Sequence, residues 1–218
     1  MHLSRSNLLR FYDDRRTWLT DGEHRGAHVS AITAILGEDL VMALLLHHWR
    51  SEGHDGFIAS YRCNQGKTGS RLDAWILQDS VRLFQVEVKN WSAHSLGGKD
   101  LHLEASEAER AKVAQARWRH YFLGESGLAP EVKKVLTPMN RPEHLASLPV
   151  SKLLCFWSYV VNASGDPYSV VIVNGEELHV FSASAYLRRL TIEAIPLEMP
   201  RASDRLRLIQ TLHHPEDA

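Results

Sequence analysis

The sequence predicts an α/β fold, in which helices and short strands follow one another along the chain, and three observations support this class. Apolar residues recur with a helical period between residues 30 and 49. Two short apolar strands, at 71–77 and 81–90, flank a tight polar turn at 78–80. A nearly continuous apolar run at 152–161 is typical of a strand that is buried on both faces.

Length and composition are those of an ordinary globular protein. The 218 residues are 44% hydrophobic and 23% charged, which suits one large domain with a sizeable core. The net charge of −1 excludes the global basic field that many nucleic-acid-binding proteins carry, but it is compatible with a local basic face.

Three features predict a cytoplasmic protein. Residues 1–10 contain two arginines and no apolar run, unlike a secretory signal. The longest apolar run, at 40–46, is far too short to cross a bilayer. Cys63 and Cys155 stand in predicted strands without CxxC spacing, so we expect two buried thiols and no disulfide.

The remaining elements follow from local signals. Residues 1–29 predict a helical N-terminal extension, and Ser30 is the expected N-cap of the first long helix. Later elements are predicted as a strand at 57–63, helices at 104–123 and 130–135, a hairpin at 169–173 and 177–181 around Asn174–Gly175, and helices at 184–190 and 201–212. We expect a single domain over 1–218, with a core at 30–161 and a C-terminal hairpin and helices at 167–218.

Charged residues inside the two apolar strands are the candidate site. Asp73 lies in the first strand, and Glu87 and Lys89 lie one residue apart in the second. Side chains alternate along a strand, so Glu87 and Lys89 share one face, and pairing of the two strands brings Asp73 close to them. An unpaired buried charge costs several kcal/mol, so these groups require partners or a metal.

This combination of side chains has a specific chemistry. Two adjacent carboxylates repel one another unless a cation joins them or one is protonated. Mg²⁺ takes one or two carboxylates together with waters and phosphate oxygens, and a neighbouring lysine orients a phosphate or a water. The set therefore indicates metal-assisted hydrolysis of a phosphodiester.

Asp73, thirteen intervening residues and then Glu87-Val88-Lys89 resemble the signature of the PD-(D/E)xK, or restriction-endonuclease-like, nuclease superfamily. The resemblance covers residues 30–161 and implies a central mixed β-sheet flanked by helices in the order α-β-β-β-α-β. It further implies that Asp73, Glu87 and the Val88 backbone carbonyl hold Mg²⁺ or Mn²⁺, and that Lys89 positions or activates the attacking water. Glu38 matches the acid that many members add from the first helix, with Asp39 as its neighbour.

Some positions depart from the family pattern. Leu72 precedes Asp73 in place of proline, and Gln115 is followed at the fourth position by Arg119 where RecB-like members have tyrosine. The subgroup is therefore unassigned. The candidate contacts to nucleic acid are Gln85, Gln115, Lys67, Arg71, His94 and Arg119.

The resulting hypothesis is a metal-dependent nuclease, with DNA favoured over RNA, in restriction, repair or phage defence. Because the net charge is close to zero, a homodimer or a partner protein is expected to supply targeting. One alternative is a non-catalytic nucleic-acid-binding or assembly module of the same fold, and a simpler one is a solvated Glu87–Lys89 ion pair. A zinc hydrolase built on His47 and His48 is disfavoured, since neither HExxH nor CxxC occurs.

Overall fold

A computed structural model describes residues 1–13, 25–66, 69–89, 127–157 and 166–204, together with residues 106, 108, 109, 112 and 116. Most of the helix predicted at 104–123 lies outside the described residues, and the four described positions from 108 to 116 are helical. The helix predicted at 201–212 is described only as far as residue 204.

The described residues form an α/β structure. Its strands are β1 (His2–Ser4), β2 (Gly56–Ser60), β3 (Cys63–Asn64), β4 (Arg71–Leu72), β5 (Ala74–Gln78), β6 (Arg82–Lys89), β7 (Val150–Phe156), β8 (Tyr168–Val173), β9 (Glu176–Ser182) and β10 (Ala194–Pro196). Its helices are α1 (Arg5–Asp13), α2 (Arg25–Ser51), α3 (Pro130–Leu136) and α4 (Ala183–Arg189), with a 3₁₀ turn at Glu143–Leu145 and a helical segment at 200–204.

The central sheet has six strands in the order β2-β5-β6-β7-β9-β8 and is mixed. The pairs β2–β5, β5–β6 and β8–β9 are antiparallel, whereas β7 runs parallel to both β6 and β9. The expected mixed sheet flanked by helices is therefore confirmed. The predicted C-terminal hairpin is part of this sheet, because β9 pairs with β7.

Both predicted tight turns are confirmed by their backbone geometry. Asp79 and Ser80 have φ values of 51° and 58°, and Asn174 and Gly175 have φ values of 51° and 79°. Two successive residues with positive φ are the signature of the two-residue hairpin turn whose twist matches that of the flanking strands. Local chemistry therefore sets the register of the β5–β6 and β8–β9 hairpins.

The two faces of the sheet bury different clusters. On β6, Phe84, Val86 and Val88 pack into the apolar cluster that includes the second half of α2. Leu83 belongs to the opposite cluster, which includes Val132 and Val135 of α3. Because side chains alternate, Gln85, Glu87 and Lys89 lie on the α3 face.

Three predicted boundaries are wrong. The first long helix begins at Arg25 and not at Ser30, since serine within a helix costs only a few tenths of a kcal/mol and does not force a start. The strand predicted at 57–63 breaks after Ser60, whose hydroxyl bonds both the Arg62 amide and the Arg62 carbonyl. The strand predicted at 71–77 is divided at Asp73, because β4 pairs with β3 whereas β5 pairs with β2 and β6.

Among the described residues, no helix is long and apolar enough to cross a membrane.

Candidate functional site

Asp73 lies at the junction between β4 and β5, directly beside β6. Its backbone N–H donates to the Val86 carbonyl (2.9 Å), and its Oδ2 accepts a hydrogen bond from the Val88 N–H (2.7 Å). Since Ala74 pairs with Val86, the residue opposite Asp73 on β6 is Glu87. The sequence expectation that Asp73 and Glu87 meet across this strand pair is therefore confirmed.

Glu87 is a buried carboxylate that holds two ammonium groups. It is 1% exposed. Lys89 Nζ lies 2.7 Å from Glu87 Oε1, and Lys134 Nζ lies 2.9 Å from each Glu87 oxygen. The predicted proximity of Glu87 and Lys89 is confirmed, and a solvated ion pair is excluded by the burial of Glu87.

Lys134 is a site residue that sequence reasoning missed. It comes from α3, where Val132 and Val135 are fully buried against the sheet and so direct the neighbouring Lys134 towards β6. Lys133, one position earlier, is exposed. In the sequence, Lys134 is recognisable only as a lysine next to the apolar stripe of a short helix. No fixed spacing along the chain relates it to Glu87.

Asp73 differs from Glu87 in its electrostatic environment. Burial and then the nearby Glu87 charge raise the pKa of Asp73 to about 7, whereas the Val88 N–H and Lys134 act in the opposite direction. Asp73 forms no salt bridge with any residue in the described part of the chain. Negative charge at Asp73 is therefore incompletely compensated, which is the condition that a bound cation relieves.

Glu38, rather than Asp39, is the α2 acid on the site side. The Glu38 charge is one of the contributions that raise the pKa of Asp73, and its Oε2 lies 3.2 Å from Arg201 Nη1. Asp39 is buried and accepts a hydrogen bond from the Ala202 N–H at 2.7 Å, which ties α2 to the segment at 200–204. Arg201 also lies over the Tyr61 ring, 5.0 Å from its centroid.

The candidate contacts to nucleic acid are placed differently. Gln85 is buried, and its amide nitrogen donates to the carbonyls of Val135 and Thr137, so this side chain fastens α3 to the sheet and is not available at the surface. Arg71 is exposed and lines a shallow depression of about 380 Å³ together with Arg62. The candidates outside the described residues are Lys67, His94, Gln115 and Arg119.

The histidine pair and the cysteines have structural roles. His48 is buried, and His47 Nδ1 is hydrogen-bonded to the Tyr186 hydroxyl. Cys63 and Cys155 are buried free thiols, as expected. Within the described ranges, no three His, Cys, Asp or Glu side chains are grouped so that they could hold a metal ion.

A hard divalent cation fits the oxygen donors at Asp73 and Glu87. The Val88 N–H faces Asp73, and in a strand the carbonyl of the same residue points to the same edge. Two carboxylates and a backbone carbonyl are therefore directed to one region, and Mg²⁺ commonly binds to one or two carboxylates with waters completing its shell. The site has the donor chemistry for such an ion and lysines for an anionic ligand.

Comparisons with known proteins supply no family for this chain. No protein-family model matches the sequence, and no curated protein matches it. Its function is therefore inferred from the residues of the site.

Proposed function

We propose that this chain is a metal-dependent nuclease that hydrolyses phosphodiester bonds of nucleic acid on a restriction-endonuclease-like core. The observation that carries the proposal is that Asp73, at the junction between β4 and β5, lies opposite Glu87 of β6, with Lys89 Nζ 2.7 Å from Glu87 Oε1. Support for DNA over RNA comes from the sequence resemblance, and a role in restriction, repair or phage defence has the same basis.

The proposed roles follow from the chemistry of each group. Asp73, Glu87 and the Val88 carbonyl would hold Mg²⁺ or Mn²⁺, and Glu38 would add negative charge near Asp73. Such a cation, when bound, polarises the phosphate and lowers the pKa of a coordinated water. Lys89 is exposed on about a fifth of its side chain (22%), so its ammonium group can donate hydrogen bonds to the attacking water or to a phosphate oxygen.

Lys89 also contributes to stabilisation of the transition state. Negative charge grows on the non-bridging phosphate oxygens during attack, and a preorganised ammonium group stabilises that charge more than the ground state. The ion pair with Glu87 holds the Lys89 ammonium group in position, so the Lys89 side chain needs little reorganisation during the reaction. The carboxylates of Asp73 and Glu87 repel a phosphate unless a cation lies between them, so cation and substrate are expected to bind together.

One observation favours a second candidate, a non-catalytic nucleic-acid-binding or assembly module. Glu87 is already neutralised by Lys89 and Lys134, and a balanced ion-pair cluster is stable without a metal. In that case the lysines would bind backbone phosphates, and Glu87 would serve only to position them.

Cleavage assays separate the two candidates. Supercoiled plasmid, single-stranded DNA and RNA are incubated with Mg²⁺ or Mn²⁺ and with wild type, Asp73→Asn, Lys89→Met or the control Lys133→Met. We expect cleavage by wild type and by the control, and a loss of at least about a hundredfold in the two site variants. Absence of cleavage of all three substrates by wild type, or undiminished cleavage by both site variants, would refute catalysis.

A further inference from the structure

We propose that Lys134 is a displaceable counter-ion, which occupies Glu87 in the cation-free protein and leaves it when a divalent cation binds. The inference rests on the proposed function in one respect, since it assumes that the cation binds at Asp73 and Glu87. Lys134 thereby regulates the affinity of the site for the cation, in addition to the roles of Asp73, Glu87 and Lys89.

The contact geometry makes Lys134 and a cation competitors. Lys134 Nζ is 2.9 Å from both oxygens of Glu87, and Lys89 Nζ lies 2.7 Å from Oε1. A metal ion requires a lone pair of the same buried carboxylate. Lys134 spans both oxygens and is the more exposed of the two lysines (33% against 22%), so it is the ammonium group that we expect to leave.

Lys134 has the freedom to move, although its helix does not. Val132 and Val135 are fully buried, and Gln85 bonds the Val135 carbonyl, so α3 is fastened to the sheet on either side of Lys134. The Lys134 side chain is about one third exposed (33%) and has four rotatable bonds, which allow its ammonium group to reach solvent. Displacement thus requires a change of rotamer and no change in the fold.

Charge balance favours this displacement. Two carboxylates, those of Asp73 and Glu87, and two ammonium groups, those of Lys89 and Lys134, lie at the site, so the four side chains have no net charge when all are ionised. A divalent cation adds two positive charges to a set that is already neutral. Withdrawal of the Lys134 ammonium group to solvent removes one positive charge from the site and so offsets half of the charge that the cation adds. Lys89, two residues from Glu87 on the same strand, stays in place.

Calorimetric titration with Mn²⁺ at pH 8 tests the competition without any substrate. We expect Lys134→Met to bind Mn²⁺ with a Kd about tenfold lower than wild type, because the competing charge is gone. Lys134→Arg, whose guanidinium group again spans both carboxylate oxygens, is expected to restore a Kd close to that of wild type. Lys133→Met, on the exposed side of the same helix, is the matched control and is expected to bind like wild type.

Thermal unfolding supplies a second readout. In EDTA, Lys134→Met is expected to have a lower Tm than wild type, because half of the counter-charge of Glu87 is lost, and saturating Mn²⁺ is expected to remove the deficit. If Lys134→Met does not fold, Lys134→Gln serves in its place, since it keeps one hydrogen bond to the carboxylate.

The outcomes for this inference and for the proposed function are distinct. Equal or weaker Mn²⁺ binding by Lys134→Met, or no binding by either protein, overturns the role of Lys134. Tighter binding by Lys134→Met together with a wild type that cleaves nothing supports the counter-ion role and refutes the nuclease. Cleavage by wild type without any gain in affinity on Lys134→Met refutes only the counter-ion role.

Discussion

The two ends of β6 bury titratable groups in opposite ways. At its carboxyl end, on the α3 face, Glu87 is buried as a charged group and is compensated by Lys89 and Lys134. Near its amino end, on the α2 face, Phe84 contacts His179, which is buried among aromatic rings. At the carboxyl end the side chains stay charged because they are paired, and near the amino end the histidine stays neutral because burial removes its contact with water.

The histidine end shows how neutrality is maintained. His179 is 6% exposed, and its Nδ1 lies 3.0 Å from the Tyr168 hydroxyl. His48 is 8% exposed, and its ring stacks on Phe181 at 5.7 Å between centroids. Burial is the largest contribution lowering the pKa of both histidines, with the Arg82 charge also acting on His179 and opposed by Glu177.

The charged end of β6 therefore presents ionised side chains, whereas the histidine end presents buried rings whose pKa is lowered. Replacing a neutral histidine by an apolar ring leaves no unpaired charge, whereas removing one partner of the paired charges does. Asp73 is the exception at the charged end, since it has no salt-bridge partner in the described part of the chain, and its carboxylate is a ligand of the cation in the proposed function.

Removal of Glu87 should produce the largest loss of stability. Glu87→Ala leaves Lys89 and Lys134 facing one another in a partly buried position, and we expect the free energy of unfolding in EDTA to fall by about 3–5 kcal/mol. Urea denaturation monitored by tryptophan fluorescence measures it. Glu143→Ala, at an exposed position in the 3₁₀ turn, is the control, and an equal effect of the two substitutions would contradict the pairing.

Asp73→Asn should stabilise the protein, although the same substitution is expected to reduce the proposed cleavage at least about a hundredfold. The pKa of Asp73 is raised to about 7 from an ordinary value of about 3.9, so the folded state binds the proton more tightly and stability decreases as pH rises between these values. Ionisation of Asp73 lowers the free energy of unfolding by up to about 4 kcal/mol above pH 7 and by nearly zero below pH 4, and the substitution removes this loss. Urea denaturation in EDTA at pH 4, 6 and 8 checks this dependence; a gain that does not grow with pH would contradict it.

The histidine end should produce the opposite pH dependence. Because the pKa of His48 is lowered, the unfolded chain binds the proton more tightly, and stability decreases as pH falls below about 6.5. We expect His48→Phe to reduce the stability lost between pH 7.5 and 5.5, by at most the roughly 1.4 kcal/mol that one unfolded histidine with a pKa of about 6.5 can contribute. The matched control is His144→Ala at an exposed position, and an unchanged slope in His48→Phe would show that His48 is not the group responsible.

The smallest effect is expected at the ion pair between Arg201 and Glu38. Their side chains are 32% and 40% exposed, so Arg201→Ala should cost less than about 1 kcal/mol in unfolding free energy. Loss of the Tyr61 contact is included in this value. Chemical denaturation in high and low salt measures it, and a loss above 2 kcal/mol would mean that Arg201 has a larger packing role.

The sequence by itself determined the features that depend on local periods. Alternation along a strand placed Glu87 and Lys89 on one face, and the turn at Asp79–Ser80 set the register that brings Asp73 opposite Glu87. The mixed α/β class followed from the same periods. These inferences succeeded because each depends on residues that are neighbours or that a single tight turn connects.

Tertiary structure alone decided which other groups reach the site. Lys134 is 47 residues from Glu87, and Arg201 is 163 residues from Glu38. The break at Asp73 arises because β4 and β5 pair with different strands, and Gln85 is internal because α3 packs over it. No periodic pattern relates such distant residues, since their contact depends on how a helix and a sheet pack after both have formed.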